Sequence, residues 1–97
     1  MMEDYVYFGV LIKMRQQLGF KAKKRITLNR AMKWFEKKYH LAISIVWRNG
    51  WYYSVRNMDN IYADREIVNF NSVYFNSRKS AINAALLAAI NIVKKSV

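Results

Sequence analysis

Apolar residues recur at helical spacing in three stretches of the chain, and alternate with small or polar residues in a fourth. From about Tyr7 to Leu18, the residues Phe8, Leu11, Ile12, Arg15 and Leu18 fall three or four apart, with only Arg15 polar among them. Lys13, Gln16 and Gln17 lie toward the other side. Gly19 follows where a left-handed C-cap is wanted. Thr27 is a good N-cap for a second helix, about Leu28 to Tyr39, with Leu28, Ala31 or Met32, Phe35 and Tyr39 as its stripe. Ser77 caps a last helix, about Arg78 to Lys95, whose core stripe is Ile82, Ala85, Leu86, Ala89, Ile90 and Val93. Ala84, Leu87, Ala88 and Ile92 leave its flanks unusually apolar. That helix is therefore either sandwiched between layers or packed against a second copy of the chain, as a homodimer.

Leu41 to Arg48 and Trp51 to Arg56 alternate at the period of a strand, and Asn49-Gly50 between them reads as a hairpin turn. A three-residue turn pairs Trp47 with Trp51 and puts Gly50 in the left-handed bulge position. Ile43, Ile45, Trp47, Trp51, Tyr53 and Val55 then share one face, and Ala42, Ser44, Val46, Tyr52, Ser54 and Arg56 the other. A two-residue turn would split the apolar set between faces, so the three-residue turn is expected. Asn57 to Glu66 is polar and reads as an exposed loop. Ile67 to Phe75 supplies a third strand in two pieces. The expected architecture is α+β, in the order helix-helix-strand-strand-strand-helix. A three-stranded antiparallel sheet carries the helices on one face, and residues 1–97 form a single domain.

Composition narrows the function classes. At 97 residues, with 54% hydrophobic and 15% aromatic residues, the chain can build one packed core. It has no cysteine, which excludes disulfides and thiolate metal sites. Glu3 and Asp4 stand where a signal peptide would carry basic residues, and no run approaches the ~20 apolar residues of a membrane span. A cytoplasmic location, with no membrane partner, is expected. His40, the one histidine, falls at the end of the second helix and cannot by itself build a triad or a zinc site. Asp59, Asp64 and Glu66 are too scattered to suggest a Mg²⁺ nuclease centre. No catalysis, metal or cofactor is expected.

Charge points to a partner. Seventeen Lys and Arg against six Asp and Glu give a net charge of +11. Such an excess costs self-repulsion and draws the chain to polyanions, of which nucleic acid is the commonest. Between Lys13 and Lys38 there are ten basic residues and one acid. Lys21, Lys23, Lys24 and Arg25, with Arg30, Lys33 and Lys37, make a candidate phosphate-tracking surface. Arg78 and Lys79 form a second candidate, because cations in a first helical turn oppose the dipole by about 0.3–1 kcal/mol each. A bound phosphate reverses the sign of that cost. Of the aromatic residues, Tyr52 with Arg56 on the outer sheet face is a candidate for base stacking. Trp34 lies off its helix stripe and is a candidate anchor for a protein partner.

The residues Glu3-Asp4-Tyr5-Val6, Leu18-Gly19-Phe20, Thr27-Leu28, Ala31-Met32-Lys33-Trp34, Tyr39-His40-Leu41, Trp51-Tyr52-Tyr53, and Ser77 with Ala81, Ala84 and Ala85 run through nearly the whole chain. In these the chain resembles a group of small uncharacterised proteins of Bacteroidales and their phages. The resemblance implies a phage or mobile-element origin, hence the host cytosol, and no particular activity. Ser77-Arg78-Lys79 followed by Ala81, Ala84 and Ala85 is also similar to the last helix of double-stranded-RNA-binding domains. Their α-β-β-β-α order matches from the second helix onward. That likeness implies that Arg78 and Lys79 span phosphates across a groove. Ile82 departs from it where a further lysine would stand, as does Arg48-Asn49-Gly50, which lacks the family's Gly-Pro and histidine. The combined expectation is a non-catalytic accessory protein that binds nucleic acid, in duplex form, through phosphates. The alternative is a phage anti-defence protein that inhibits a host protein or sequesters a nucleotide signal.

Overall fold

The computed structural model describes residues 4–21, 24–58 and 74–95, and the backbone of 66–68. In chain order the elements are α1 (Phe8–Leu18), α2 (Leu28–Tyr39), β1 (Leu41–Trp47), β2 (Trp51–Asn57), β3 (Glu66–Val68) and α3 (Arg78–Lys95). The helix ends fall where the capping residues stand. Thr27 Oγ1 accepts the Arg30 N–H at 3.2 Å, and Ser77 Oγ accepts the Ser80 N–H at 3.1 Å. Gly19, left-handed at φ 69°, closes α1, and its N–H reaches the Arg15 carbonyl at 3.1 Å. His40 closes α2 in the same conformation, at φ 55°.

Helix α3 is the centre of the molecule. It touches α1, α2, β1 and β2. Ile82, Ala85, Leu86, Ala89, Ile90 and Val93 are buried, as the stripe predicts, and Leu87, Ala88 and Ile92 pack partly buried against the same core. The apolar flanks are thus partly buried within the chain itself.

The three-stranded sheet is corrected. The sheet proper is a two-stranded antiparallel hairpin of seven-residue strands, β1 and β2. What lies beside β2 is a three-residue fragment, β3, pairing Val55 with Val68 and Arg56 with Glu66 across a register irregularity. Phe75 adds one isolated bridge to Trp51. Glu66 falls in the stretch read as loop, and Asn69, Asn71 and Ser72, residues that strands disfavour, interrupt the apolar run beyond Val68. The rest of the expected loop and strand lies outside the described residues.

The hairpin register is Ile43 opposite Val55, Ile45 opposite Tyr53 and Trp47 opposite Trp51, as the three-residue turn requires. Its backbone differs in detail. Asn49 takes the left-handed position, at φ 54°, and Gly50 has φ 153°, a conformation that excludes most side chains. A Cβ on Gly50 would come within 2.5 Å of Tyr74 Cβ and Cγ. Gly50→Ala is expected to cost about 1–3 kcal/mol from the backbone alone, and Tyr74 must also move. A denaturant titration reads this loss.

Helix α1 buries Val10, Leu11 and Met14. That face is rotated from the Phe8-Leu11-Ile12-Arg15-Leu18 stripe, and Phe8 is left 72% exposed. Among the described residues no helix is long and apolar enough to cross a membrane.

Candidate nucleic-acid interface

On α2, Arg30, Lys33, Trp34, Lys37 and Lys38 are spaced i, i+3, i+4, i+7 and i+8, so they share one side of the helix. Gly19, Phe20 and Lys21, from the connection after α1, face that side across an open groove of about 740 Å³. Thr27 and Asn29 complete its lining. Among the described residues five cations line the groove and no carboxylate does. Glu36 is on α2 but does not line it. From Arg30 to Lys37 the helix rises about 10 Å, or three base-pair steps of a duplex.

Trp34 is partly buried and lines this groove. Its ring is half-buried, with centroids 4.9 Å from Phe20, 5.0 Å from Phe35 and 5.4 Å from Tyr39, and all three pairs are edge-on. The Lys38 ammonium lies 5.4 Å above it. The tryptophan is the floor of the groove, and its packing holds the Lys38 stem over the rings.

A second basic surface lies where the start of the chain meets α3. Val6 N–H donates to the Ile26 carbonyl at 2.9 Å, Leu28 N–H donates to the Asp4 carbonyl at 3.0 Å, and Tyr5 bridges to Thr27. In this short extended pairing successive side chains alternate. Ile26 points into the core, while Arg25 and Thr27 point out. The Arg25 guanidinium lies 5.6 Å from the Tyr5 ring centre. From α3, the Lys79 ammonium lies 5.4 Å from that of Tyr7. Tyr5, Phe8, Arg25 and Lys79 line one cleft with Val6 and Leu11, and Lys24 joins Tyr5 and Arg25 in an adjoining one.

Asn83 sets this junction. It is 2% exposed. Its Oδ1 accepts the Tyr7 N–H at 2.8 Å, and its Nδ2 donates to the Lys79 carbonyl at 2.9 Å. Tyr7 Oη and Ser80 Oγ are 3.0 Å apart. In the sequence Asn83 stands out only as a break in an apolar run. The signal available was its position one residue from the core-stripe residue Ile82, with no exposed face to occupy. Asn83→Ala leaves the part-buried Tyr7 N–H without its acceptor, at about 1–3 kcal/mol, while the Lys79 carbonyl keeps its place in the helix. The expected result is a lower thermal midpoint, read by circular dichroism.

The candidate residues therefore sort into two groups and some outliers. Lys21, Arg30 and Lys33 meet in the α2 groove, with Lys37 and Lys38 beside them. Lys24, Arg25 and Lys79 meet around Tyr5 and Tyr7. Arg78 is exposed and stands about 100° round α3 from Lys79, whose ammonium is turned to Tyr7. Tyr52 and Arg56 share a sheet face, but about 13 Å of strand and the buried Ser54 separate them, too far to clamp one base. Lys23, Asp59, Asp64 and the side chain of Glu66 lie outside the described residues. Trp47, assigned to the core face, is 60% exposed at the hairpin end, against Trp51 at 5.3 Å. Among the described residues no three of His, Cys, Asp and Glu are grouped to hold a metal ion. Compared with family models, curated proteins and solved structures, the chain finds no match in any of the three.

Proposed function

We propose that this chain is a non-catalytic binder of nucleic acid, in duplex form, acting through phosphates. The observation that carries the reading is the groove lined by Lys21, Arg30, Lys33, Lys37 and Lys38, with no carboxylate among the described residues that line it. Like charges crowded on one face repel one another, and an anion laid between them turns that cost into attraction. Lys21 meets the backbone from one wall and Arg30, Lys33 and Lys37 from the other. Contacts of this kind position a duplex without reading its bases, so little sequence preference is expected. The phage-type accessory role in the host cytosol belongs to the same proposal. Host-protein inhibition is less favoured, because the two features that motivated it, the α3 flank and Trp34, are both partly buried against the core.

The test is fluorescence anisotropy with a labelled blunt duplex across a salt series. Contacts with four or five phosphates predict a slope of about −4 in log K against log salt. Protein purified without nuclease should also carry nucleic acid at low salt and release it at high salt, read from the 260/280 nm ratio on size exclusion. Affinity that is flat in salt, or a clean protein peak at low salt, would overturn the reading.

A further inference from the structure

Folding does not explain Phe8. It is the first residue of α1, 72% exposed, and no aromatic ring among the described residues packs against it. A phenylalanine left in water forgoes the stabilisation of burial. Its surroundings are specific. It lines a cleft of about 420 Å³ with Tyr5, Arg25 and Lys79, and among the described residues no carboxylate lines it. Tyr7, the residue before it, is held by two hydrogen bonds, N–H to Asn83 and Oη with Ser80. The backbone that carries Phe8 is therefore fixed while its ring is free. Arg25 and Lys79 are each drawn over a tyrosine, which keeps both cations at the rim of the cleft.

We propose that this cleft takes an unpaired nucleotide, its base stacked on Phe8 and its flanking phosphates on Arg25 and Lys79. The inference rests on the phosphate-binding reading above and deepens it. The preferred ligand is a duplex that continues into a single strand. An aromatic face beside cations is how single strands are held without sequence preference, because every base has a π-face and every nucleotide a phosphate. A stacked pair inside a duplex offers no free base, so the cleft adds nothing for a blunt end. The two surfaces lie on one path. Tyr5 of the cleft bridges to Thr27 of the groove, so a strand leaving the α2 groove past Thr27 arrives at Arg25.

The experiment compares a blunt duplex of about 16 base pairs with the same duplex carrying an unpaired tail of about six nucleotides. Both are made in DNA and in RNA, so the two sources of the tail are read separately. Wild-type protein should bind the tailed probe roughly 5- to 100-fold more tightly than the blunt one, the span expected from stacking one base. Phe8→Leu keeps an apolar side chain and removes the π-face. It should abolish that preference while leaving blunt-duplex affinity unchanged, and Phe8→Trp should restore it. Equal affinity for both probes, or a tail preference that survives Phe8→Leu, would overturn the proposal and leave the groove standing. Failure of both probes to bind would overturn the groove as well.

Discussion

Reversing two charges in the α2 groove, Arg30→Glu with Lys33→Glu, should weaken duplex binding on the order of 100-fold at about 0.1 M salt. The slope of log K against log salt should shrink by about 2, one for each phosphate that the reversed side chains no longer neutralise. The usual objection to such a variant is that it unfolds the protein. Here the local structure argues the opposite. Both side chains are exposed, and the cap bond at Thr27 uses the backbone of residue 30, not its side chain. Glutamate three residues after a threonine N-cap completes a capping box and sits at the positive end of the helix. It also relieves part of the +11 self-repulsion. Thermal stability should hold or rise while binding falls. Lys94→Glu with Lys95→Glu makes the same change in net charge on exposed residues at the far end of α3. If that control loses as much affinity, the groove has no special place and only total charge matters.

Phe35→Ala should produce the largest loss of stability. Phe35 is fully buried, and its ring packs against Trp34 at 5.0 Å and Tyr39 at 6.0 Å. Truncating a buried phenylalanine costs about 3–5 kcal/mol, out of a total stability on the order of 5–15 kcal/mol. For a domain of this size the thermal midpoint should fall by roughly 15–30 °C. The same change removes the support of the groove floor, because Trp34 and Tyr39 carry the rings under Lys38. Binding should therefore fall together with stability, in contrast to the charge reversal. Phe35→Leu refills most of the space and should recover much of both. A midpoint within a few degrees of wild type for Phe35→Ala would mean that the ring cluster is not part of the core.

What the sequence makes legible here are features decided within a few residues of one another. Thr27 and Ser77 mark the starts of α2 and α3, because a side-chain oxygen reaches an amide three residues on whatever the rest of the chain does. The hairpin register follows from keeping Ile43, Ile45, Tyr53 and Val55 on one face. The cations of α2 share a side by helical spacing alone. The buried face of α1 is not legible. Val10, Leu11, Ile12, Met14 and Leu18 spread its apolar side over about 200°, and the choice of face within it is fixed partly by Asn83, 76 residues from the Tyr7 amide it accepts. The length of the third strand is not legible either, since apolar content alone does not set where pairing stops, and among the described residues β3 runs only over Glu66–Val68. The Phe8 cleft brings together residues from the start of the chain, the loop before α2 and the first turn of α3. No local pattern could announce it.

The central place of α3 bears on how the chain is made. The helix that α1, α2 and both hairpin strands pack against is the last of the six elements to be synthesised. Until it emerges, Leu11, Phe35 and Val55 have only part of their core. At about 5–20 residues per second, the earlier elements wait for seconds beside the ribosome as a strongly basic, incompletely collapsed chain. The contacts that end this wait span most of the sequence, so their loop-closure entropy is lost late and in one step. A chain stopped before Arg78 would keep thirteen of its seventeen Lys and Arg and lose its fold, turning a shaped binder into an unstructured polycation.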